Sequence, residues 1–244
     1  MADLKLKLVH LYPLFLNIYG DIGNIRVLQK RCEWRGIELE IQQFNIGDTL
    51  DVGTDIFFIG GGQDRQQVEV SHELQKYKNL LLDEYNNNAV FLGICGGYQL
   101  MGEYYQPHDA DRLEGISILD AYTVAGPTRF IGNVTCEADY LTEKATLVGF
   151  ENHSGLTYLR GDTTPMAKII VGNGNNGVDK TEGARSKNAF GTYLHGSFLP
   201  KNPHFADYMI KLALEKKYND EFTLEPLDDT IEFKAHESVL SKVY

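Results

Sequence analysis

Residues 89–99 read AVFLGICGGYQ, a stretch that indicates a buried strand followed by a sharp turn into a helix. A short apolar run ending at Ile94 is typical of a strand that is buried on both faces, as the strands of a parallel sheet are. The run leads into Cys95, with Gly93 and Gly96 close on either side. A nucleophile between small residues, at a sharp turn from strand to helix, is typical of an elbow that lifts the side chain clear of the sheet.

Two interpretations of Cys95 are open. Its position before a helix N-terminus favours a thiolate, because the partial positive charge of the helix end lowers a thiol pKa. Alternatively, Cys95 is a small buried hydrophobic residue and the glycines only make a tight turn. The other two cysteines lack this setting. Cys32 lies on the apolar face of a predicted helix and Cys136 lies within a predicted strand, so both are interpreted as packing residues.

The first half of the chain alternates strand and helix patterns. Strands are predicted over residues 4–11, 37–44, 54–59 and 89–94, and helices over residues 25–36 and 66–85. This alternation predicts an α/β fold in which a mostly parallel sheet is flanked by helices. In such folds, binding sites form outside the carboxyl ends of the strands.

The pattern changes after about residue 112 to short strands separated by turns, such as 131–136 and 146–150. Glycine and asparagine over residues 172–177 predict a loop, because both tolerate positive φ. Helices are predicted over 205–216 and 237–243. The sequence shows no internal repeat or linker, so we predict a single domain over residues 1–244.

Composition excludes several classes of protein. The chain has 244 residues, of which 43% are hydrophobic and 23% charged, which excludes disorder and coiled coil as overall classes. A net charge of -11 without a basic cluster argues against nucleic acid as a partner. Three cysteines without CxxC spacing favour a reducing cytoplasm and suggest neither a disulfide framework nor a metal site. The alternating N-terminus and the lack of a long apolar run predict neither a signal peptide nor membrane insertion.

A thiol that attacks an acyl group also needs a base. His195 follows a short apolar run beside glycine, and two strand ends of a parallel sheet can bring it close to Cys95. His153 is the rival, because it lies in a similar turn-like context. The glycines at 60–62 lack the Lys-Ser/Thr of a phosphate-binding P-loop. They are interpreted as amides for an oxyanion, with a plain flexible turn as the alternative.

The G-x-C-x-G-x-Q elbow, the glycine loop and the downstream histidine together resemble the class I, triad-type glutamine amidotransferases. Residues 149–153, 174–176, 182–184 and 191–196 are similar to the cobyric acid synthase-like branch of that class. The stretch YGDIGN at residues 19–24 resembles the family of glutaminase subunits of lipid II isoglutaminyl synthase. The resemblance covers nearly the whole chain and implies the flavodoxin-like architecture of the class.

The resemblance also implies a role for each site residue. The implied set is the nucleophile Cys95, the general base and acid His195, the oxyanion donors Gly61 or Gly62 with Gly96, the pocket residue Gln99, and the substrate-holding Arg129. The last role agrees with chemistry, because a guanidinium can grip the α-carboxylate of glutamine with two hydrogen bonds. Without the resemblance, Arg129 is interpreted as a surface arginine at a strand start.

One position departs from the class. Most members carry a glutamate two residues after the histidine to orient the imidazole, whereas this chain has Ser197. Ser197 can be only a weak orienting group. Either the enzyme works as a Cys-His dyad, or another carboxylate orients the ring. That carboxylate is Glu151 within the chain or an acid from a partner.

The function implied by the resemblance is hydrolysis of glutamine through a thioester at Cys95. The ammonia is delivered to a separate Mur-ligase-like synthetase subunit of a cytoplasmic heterodimer, which amidates the D-glutamate α-carboxyl of the peptidoglycan stem peptide on lipid II. No cofactor is expected on this chain, because it lacks an ATP-binding motif, and ATP and Mg²⁺ are expected on the partner.

Two alternatives to this function stay open. One is an amidotransferase subunit of the cobyrinic or cobyric acid type, although those enzymes usually carry an ATP-binding domain ahead of the glutaminase, and here residue 1 begins the glutaminase. The other is a non-catalytic pseudo-enzyme that only binds a partner. The intact Cys95 and His195 argue against that second alternative.

Overall fold

The computed structural model describes residues 4–18, 20–141 and 145–241. The strands are β1 (Lys5–Leu11), β2 (Glu38–Phe44), β3 (Ile56–Ile59), β4 (Val90–Ile94), β5 (Tyr104–Gln106), β6 (Leu113–Glu114), β7 (Ala121–Glu137), β8 (Thr146–Leu159), β9 (Ala167–Val171), β10 (Thr181–Glu182), β11 (Ala184–Ser186) and β12 (Ala189–Thr192). The helices are α1 (Ile22–Glu33), α2 (Asp64–Lys76), α3 (Lys78–Asn86), α4 (Gly96–Met101), α5 (Pro203–Tyr218) and α6 (Thr230–Leu240). None of the helices in these ranges is long and apolar enough to cross a bilayer.

A six-stranded sheet with the order β11-β12-β4-β3-β1-β2 carries the core. All of its neighbours pair in parallel except β11, which is antiparallel to β12. Every residue of β3, β4 and β12 is buried, as expected for central strands that helices cover on both faces. The predicted α/β class, with a mostly parallel sheet flanked by helices, is therefore confirmed.

The crossover between β3 and β4 differs from the single helix predicted over residues 66–85. The structure has two helices, α2 and α3, which meet at Tyr77. Tyr77 leaves helical geometry with φ -105° and ψ 3°. Its ring packs edge-on against Phe44 and its hydroxyl donates to the Asp48 carbonyl oxygen. These tertiary contacts fix a break that helical periodicity along the chain does not reveal.

A second sheet, which the sequence does not reveal, follows α4 and has the order β10-β9-β7-β5-β6, with β8 paired to β7. The predicted short strands 131–136 and 146–150 are wrong in extent, because they are pieces of β7 and β8. These two strands form an antiparallel pair from Ala121 opposite Leu159 to Glu137 opposite Thr146. The pairing is irregular between Ala125 and Phe130, a stretch that contains a glycine and a proline, and this break hides the length of β7.

The end of the described chain is tied to the first helix by buried charges. Arg31 on α1 donates to the carboxylates of Asp207 on α5 and Asp229 just before α6, at 2.6 and 2.5 Å. The predicted helix over 205–216 lies within α5. The helix predicted over 237–243 begins earlier, because α6 starts at Thr230, and the last two predicted residues lie outside the described ranges.

The two sheets meet beside His195. The His195 amide donates to the Phe150 carbonyl oxygen at 2.9 Å, and the Phe150 amide donates back at 3.4 Å. This isolated bridge joins the segment after β12 to the middle of β8. It therefore places residues of β7 and β8 next to the carboxyl ends of β4 and β12.

Candidate active site

Cys95 lies on a strained elbow between β4 and α4. Its backbone has φ 51° and ψ -104°, a conformation that residues with a side chain rarely adopt and that typically costs about 1–3 kcal/mol. Two glycines allow the elbow, because a Cβ on Gly93 would lie 2.6 Å from the Met101 sulfur and one on Gly97 would come closer than 3.0 Å to the Ile59 carbonyl oxygen. The structure thus confirms the predicted turn from strand to helix at this cysteine.

His195 comes from the neighbouring strand end. β12 pairs with β4 in parallel, with Thr192 opposite Ile94, and the Cys95 amide donates to the Thr192 carbonyl oxygen at 2.8 Å. His195 follows three residues later and is 1% exposed. The predicted convergence of two strand ends on one edge of the sheet is therefore observed.

The pKa shifts of Cys95 and His195 act against the thiolate that the sequence led us to expect. Burial raises the pKa of Cys95 to about 12, and nearby Asp21 adds to this, while the Gly96 amide and Arg129 act against it. Burial also lowers the pKa of His195 to about 3, helped by His153 and Arg129. The six-residue α4 does not offset the loss of solvent around the sulfur. Both shifts favour the neutral forms, a thiol at Cys95 and an uncharged imidazole at His195.

The glycine loop at residues 60–62 sits against the elbow. A Cβ on Gly96 would lie 3.1 Å from the Gly62 nitrogen, so this amide is next to the start of α4. The Gly61 amide, in contrast, donates to Asp21 Oδ2 at 2.6 Å. Of the two alternatives predicted for the oxyanion donor, the geometry favours Gly62, because the Gly61 N–H is already bonded.

A cavity of about 390 Å³ opens above Cys95. This volume is in the range of small-molecule sites. Residues from both sheets line it, among them Cys95, Gly62, Gln99, Tyr105, Arg129 and His153. The cavity therefore brings together the predicted nucleophile, one predicted oxyanion donor and both predicted substrate-binding side chains.

The two predicted substrate-binding side chains have different settings. Gln99 on α4 is 5% exposed and donates to the Tyr193 hydroxyl at 3.2 Å. Arg129 on β7 is exposed and lies in the irregular part of the β7–β8 pair. Its Nε donates to Asn152 Oδ1 at 2.6 Å. Asn152 thus holds the guanidinium at the cavity wall.

Ser197 and Glu151 are the two groups of this chain that were considered for orienting His195. The hydrogen bonds that they make go to other residues. The Ser197 hydroxyl donates to the Gly20 carbonyl oxygen. Glu151 accepts hydrogen bonds from the Asn173 side chain at 2.7 Å and from the Gly174 amide at 3.0 Å. Burial works to raise the pKa of Glu151, but His153, followed by Asn173 and Gly174, outweighs burial and lowers this pKa below its usual value. His153 Nε2 lies 3.9 Å from Glu151 Oε2. Both groups therefore fasten loops.

The rival histidine, His153, forms part of the cavity wall. Its ring stacks on the Tyr193 ring at 3.6 Å with an angle of 3° between the planes. Its Nδ1 lies 2.9 Å from the Gly155 carbonyl oxygen, which can only accept, so Nδ1 carries the proton. Stacking and this hydrogen bond fix the ring.

Sequence reasoning missed Asp21 and Asn152. Asp21 is fully buried and bonded to the glycine loop, and Asn152 holds Arg129. The signal for Asp21 was present in the stretch at 19–24, but a sequence motif does not tell which side chain turns inward. Tyr19 of the same stretch lies outside the described residues.

Comparison with known proteins defines the family to which the chain belongs. The chain belongs to the CobB/CobQ-like glutamine amidotransferase domain family, whose model matches residues 7–203. Among its relatives is the subunit GatD of lipid II isoglutaminyl synthase (glutamine-hydrolyzing) from Staphylococcus aureus strain N315, 40% identical over 240 residues, which cover 98% of this chain and 96% of that protein. The subunit of the same name from Streptococcus pneumoniae strain R6 is 37% identical, covering 93% of this chain and 87% of that protein.

Among solved structures, PurLQS from Thermotoga maritima superposes with a TM-score of 0.57 at 16% identity, covering 89% of this chain and 98% of that one. At this level of identity the likeness supports the fold alone.

Proposed function

We propose that this protein is the glutaminase subunit of a two-subunit amidotransferase. It hydrolyses glutamine at Cys95 and passes ammonia to a separate ATP-dependent, Mur-ligase-like synthetase, which amidates the D-glutamate α-carboxyl of the stem peptide on lipid II. The observation that carries the proposal is the thiol on a strained elbow, open to a cavity of about 390 Å³, with His195 on the segment that follows the neighbouring strand β12. The GatD relatives support the choice of acceptor.

The first half-reaction forms a thioester. Cys95 gives its proton to the neutral imidazole of His195 while the sulfur attacks the side-chain amide carbon of glutamine. The carbonyl electron pair moves to oxygen, which the amides of Gly62 and Gly96 stabilise. His195 then returns the proton to the amide nitrogen, the C–N bond breaks, and ammonia leaves.

The second half-reaction restores the enzyme. A water molecule gives a proton to His195 and attacks the thioester carbon. The tetrahedral intermediate collapses with cleavage of the C–S bond, and the sulfur of Cys95 takes the proton back from His195. Glutamate is released, so one water is consumed for each glutamate and ammonia formed.

The charges in the cavity wall suit an α-amino acid. Arg129 provides a guanidinium for the α-carboxylate, and Asp64 lines the same cavity as an acceptor for the α-ammonium. Gln99 lies deeper in the cavity wall, where burial makes a hydrogen bond to a neutral amide more selective. A zwitterion with a neutral amide side chain thus finds a partner for each polar end.

We expect the isolated chain to hydrolyse glutamine slowly and the synthetase to activate it. The resting thiol and neutral imidazole have to exchange a proton before attack, and both loop-fastening groups near the histidine are committed elsewhere. A partner that lends an acid beside His195 would stabilise the imidazolium formed in that step. Slow hydrolysis without a partner avoids waste of glutamine.

The test measures ammonia release from glutamine by the purified chain alone and with the synthetase, using Cys95→Ser as the blank. In the complete reaction, glutamine labelled with ¹⁵N in its amide is supplied with ATP, Mg²⁺ and lipid II. The label is expected in the stem-peptide amide, detected by mass spectrometry. Ammonia release without label in lipid II would overturn the acceptor, and no release in either setting would favour the pseudo-enzyme.

A further inference from the structure

Asp21 is a buried acid whose side chain does not cap the helix that follows it. It is fully buried and immediately precedes α1, where an aspartate usually caps the first helical amides. Its side chain makes no cap hydrogen bond, and Asn17 Oδ1 instead accepts from the Ile22 amide at 2.9 Å. The carboxylate is therefore used for another purpose.

That purpose is visible in the glycine loop. Asp21 Oδ2 accepts from the Gly61 amide at 2.6 Å, while the Ile18 amide donates to the Gly61 carbonyl oxygen at 3.2 Å. The two peptides that flank Gly61 are thus held by Ile18 and Asp21. Within the described ranges, the second carboxylate oxygen of Asp21 is buried and has no hydrogen-bond partner.

The direction of the Gly62 amide follows from these contacts. In a trans peptide the C=O and N–H point in opposite directions, so a Gly61 carbonyl directed to Ile18 turns the Gly62 N–H away from Ile18. The Gly62 nitrogen lies beside Gly96 at the elbow. Three consecutive glycines have wide backbone freedom, and the loop needs such anchors to keep one conformation.

We propose that Asp21 is a positioning residue of this site, which holds the Gly61 peptide so that the Gly62 N–H is kept as the oxyanion donor. This inference rests on the proposed glutaminase function and deepens it. Asp21 acts through the glycine loop, without contact to the reacting atoms.

The Asp21 carboxyl also has an electrostatic effect, which is secondary to its hydrogen bond with the glycine loop. Burial raises the pKa of Asp21 to about 7, and the Gly61 hydrogen bond acts against this rise. The Asp21 charge in turn raises the pKa of Cys95, as does Asp64, whereas Arg129 and the Gly96 amide lower it. Where Asp21 is ionised, above its raised pKa, its charge adds to the rise in the pKa of Cys95.

The first experiment compares Asp21→Ala and Asp21→Asn in the complex with the synthetase. Alanine removes the acceptor of the Gly61 amide, and kcat is expected to fall on the order of 10²–10³-fold with KM changed less than about threefold, as when an oxyanion donor is lost. Asparagine keeps an acceptor oxygen and should lose no more than about tenfold. A higher kcat for Asp21→Asn than for Asp21→Ala would show that the acceptor oxygen positions the loop, and that the side chain does more than fill space.

Asp55→Asn is the matched control. Asp55 is also a buried acid, just before β3, whereas the glycine loop follows the other end of that strand. It accepts from Lys217 Nζ and from the Lys7 amide, each at 2.8 Å. Its variant should lower the melting temperature without lowering kcat. If Asp21→Ala behaves in the same way, Asp21 is only structural and the inference is overturned.

The second experiment reads the Cys95 thiol without turnover. The alkylation rate of Cys95 by iodoacetamide at pH 8 is followed by mass spectrometry, with Cys95→Ser as the blank. Asp21→Asn should raise this rate about three- to tenfold, because removal of a nearby negative charge lowers the thiol pKa. An unchanged rate would overturn the charge effect.

The outcomes separate the inference from the proposed function. Turnover by the wild-type complex together with equal turnover by Asp21→Ala overturns the inference alone. No turnover by the wild-type complex overturns the proposed function. In that case the alkylation rates still decide whether Asp21 acts on Cys95.

Discussion

The first sheet, which is mostly parallel, and the second sheet, which is mostly antiparallel, contribute differently to the same cavity. They are called the parallel and the antiparallel sheet below. β4 of the parallel sheet is buried at every position, and it ends in Cys95. β7 of the antiparallel sheet is exposed over residues 127–129, and this exposed stretch ends in Arg129. The Cys95 sulfur is thus fixed by a backbone that cannot move without disturbing the core. The group proposed to bind substrate lies on a segment that reaches solvent.

The two sheets therefore supply different properties to the site. A covalent step depends on the placement of the nucleophile to a fraction of an ångström, which a packed parallel sheet supplies. Substrate capture needs a charged group that stays hydrated until the ligand arrives, which an exposed hairpin supplies. Variants in the two sheets should therefore fail in different ways.

The largest effect is expected for Cys95→Ser in the parallel sheet. Glutamine turnover should fall on the order of 10⁴-fold or more, because a hydroxyl is not ionised by a base that serves a thiol. Ammonia release measures the effect. Cys136→Ala, which removes a buried thiol on β7, is the control and should keep turnover. Wild-type turnover by Cys95→Ser would refute the covalent mechanism.

The next effect belongs to Arg129 in the antiparallel sheet. Arg129→Ala should lower kcat/KM by about 2–4 kcal/mol of transition-state stabilisation, and Arg129→Lys should recover little, since a point charge does not reproduce the guanidinium fork. Steady-state kinetics check this. Arg112→Ala removes another exposed arginine near that sheet and should leave the kinetics unchanged. Unchanged kinetics of Arg129→Ala with lower thermal stability would make Arg129 structural.

Glycine-to-alanine variants compare the packing of the two regions. Gly97→Ala places a Cβ against the Ile59 backbone oxygen and should destabilise by about 3 kcal/mol, because neither backbone can yield. Gly132→Ala on β7 meets no atom within 4 Å and should change stability by less than about 0.5 kcal/mol. Urea unfolding measures both. Equal losses would show that the elbow is not more tightly packed than the hairpin.

The smallest effect on catalysis is expected for Glu151→Gln. It should destabilise by about 1–3 kcal/mol, because the amides of residues 173–174 lose a charged acceptor, while turnover changes less than about threefold. The Glu151 pKa is lowered on folding, so its contribution is complete above the ordinary pKa of 4.5 and is lost as the pH falls through the folded value. The difference in stability from wild type should therefore shrink in acid. A large rate loss without unfolding would instead make Glu151 the acid that orients His195.

The parallel sheet was accessible from sequence because its signals are local. Continuous apolar runs mark β3 and β4, and small residues around Cys95 mark the elbow. The long β7–β8 pair was not accessible, because its exposed, irregular middle breaks the alternation on which strand prediction depends. The break between α2 and α3 was missed for a related reason. It depends on the contact of Tyr77 with Phe44, which lies on another element.

The α/β class was evident from the sequence alone, which also predicted Cys95 as the nucleophile and His195 as its base, because an elbow cysteine and a histidine after a short strand are recognisable from their neighbours along the chain. The rise in the pKa of Cys95 and the hydrogen-bond partner of the Gly61 amide became evident only in the folded structure. Both depend on solvent exclusion and on side chains distant in sequence, such as Asp21, whose inward direction is set by packing. Charge and hydrogen bonding at a buried site are properties of the folded surroundings, and no local pattern encodes them.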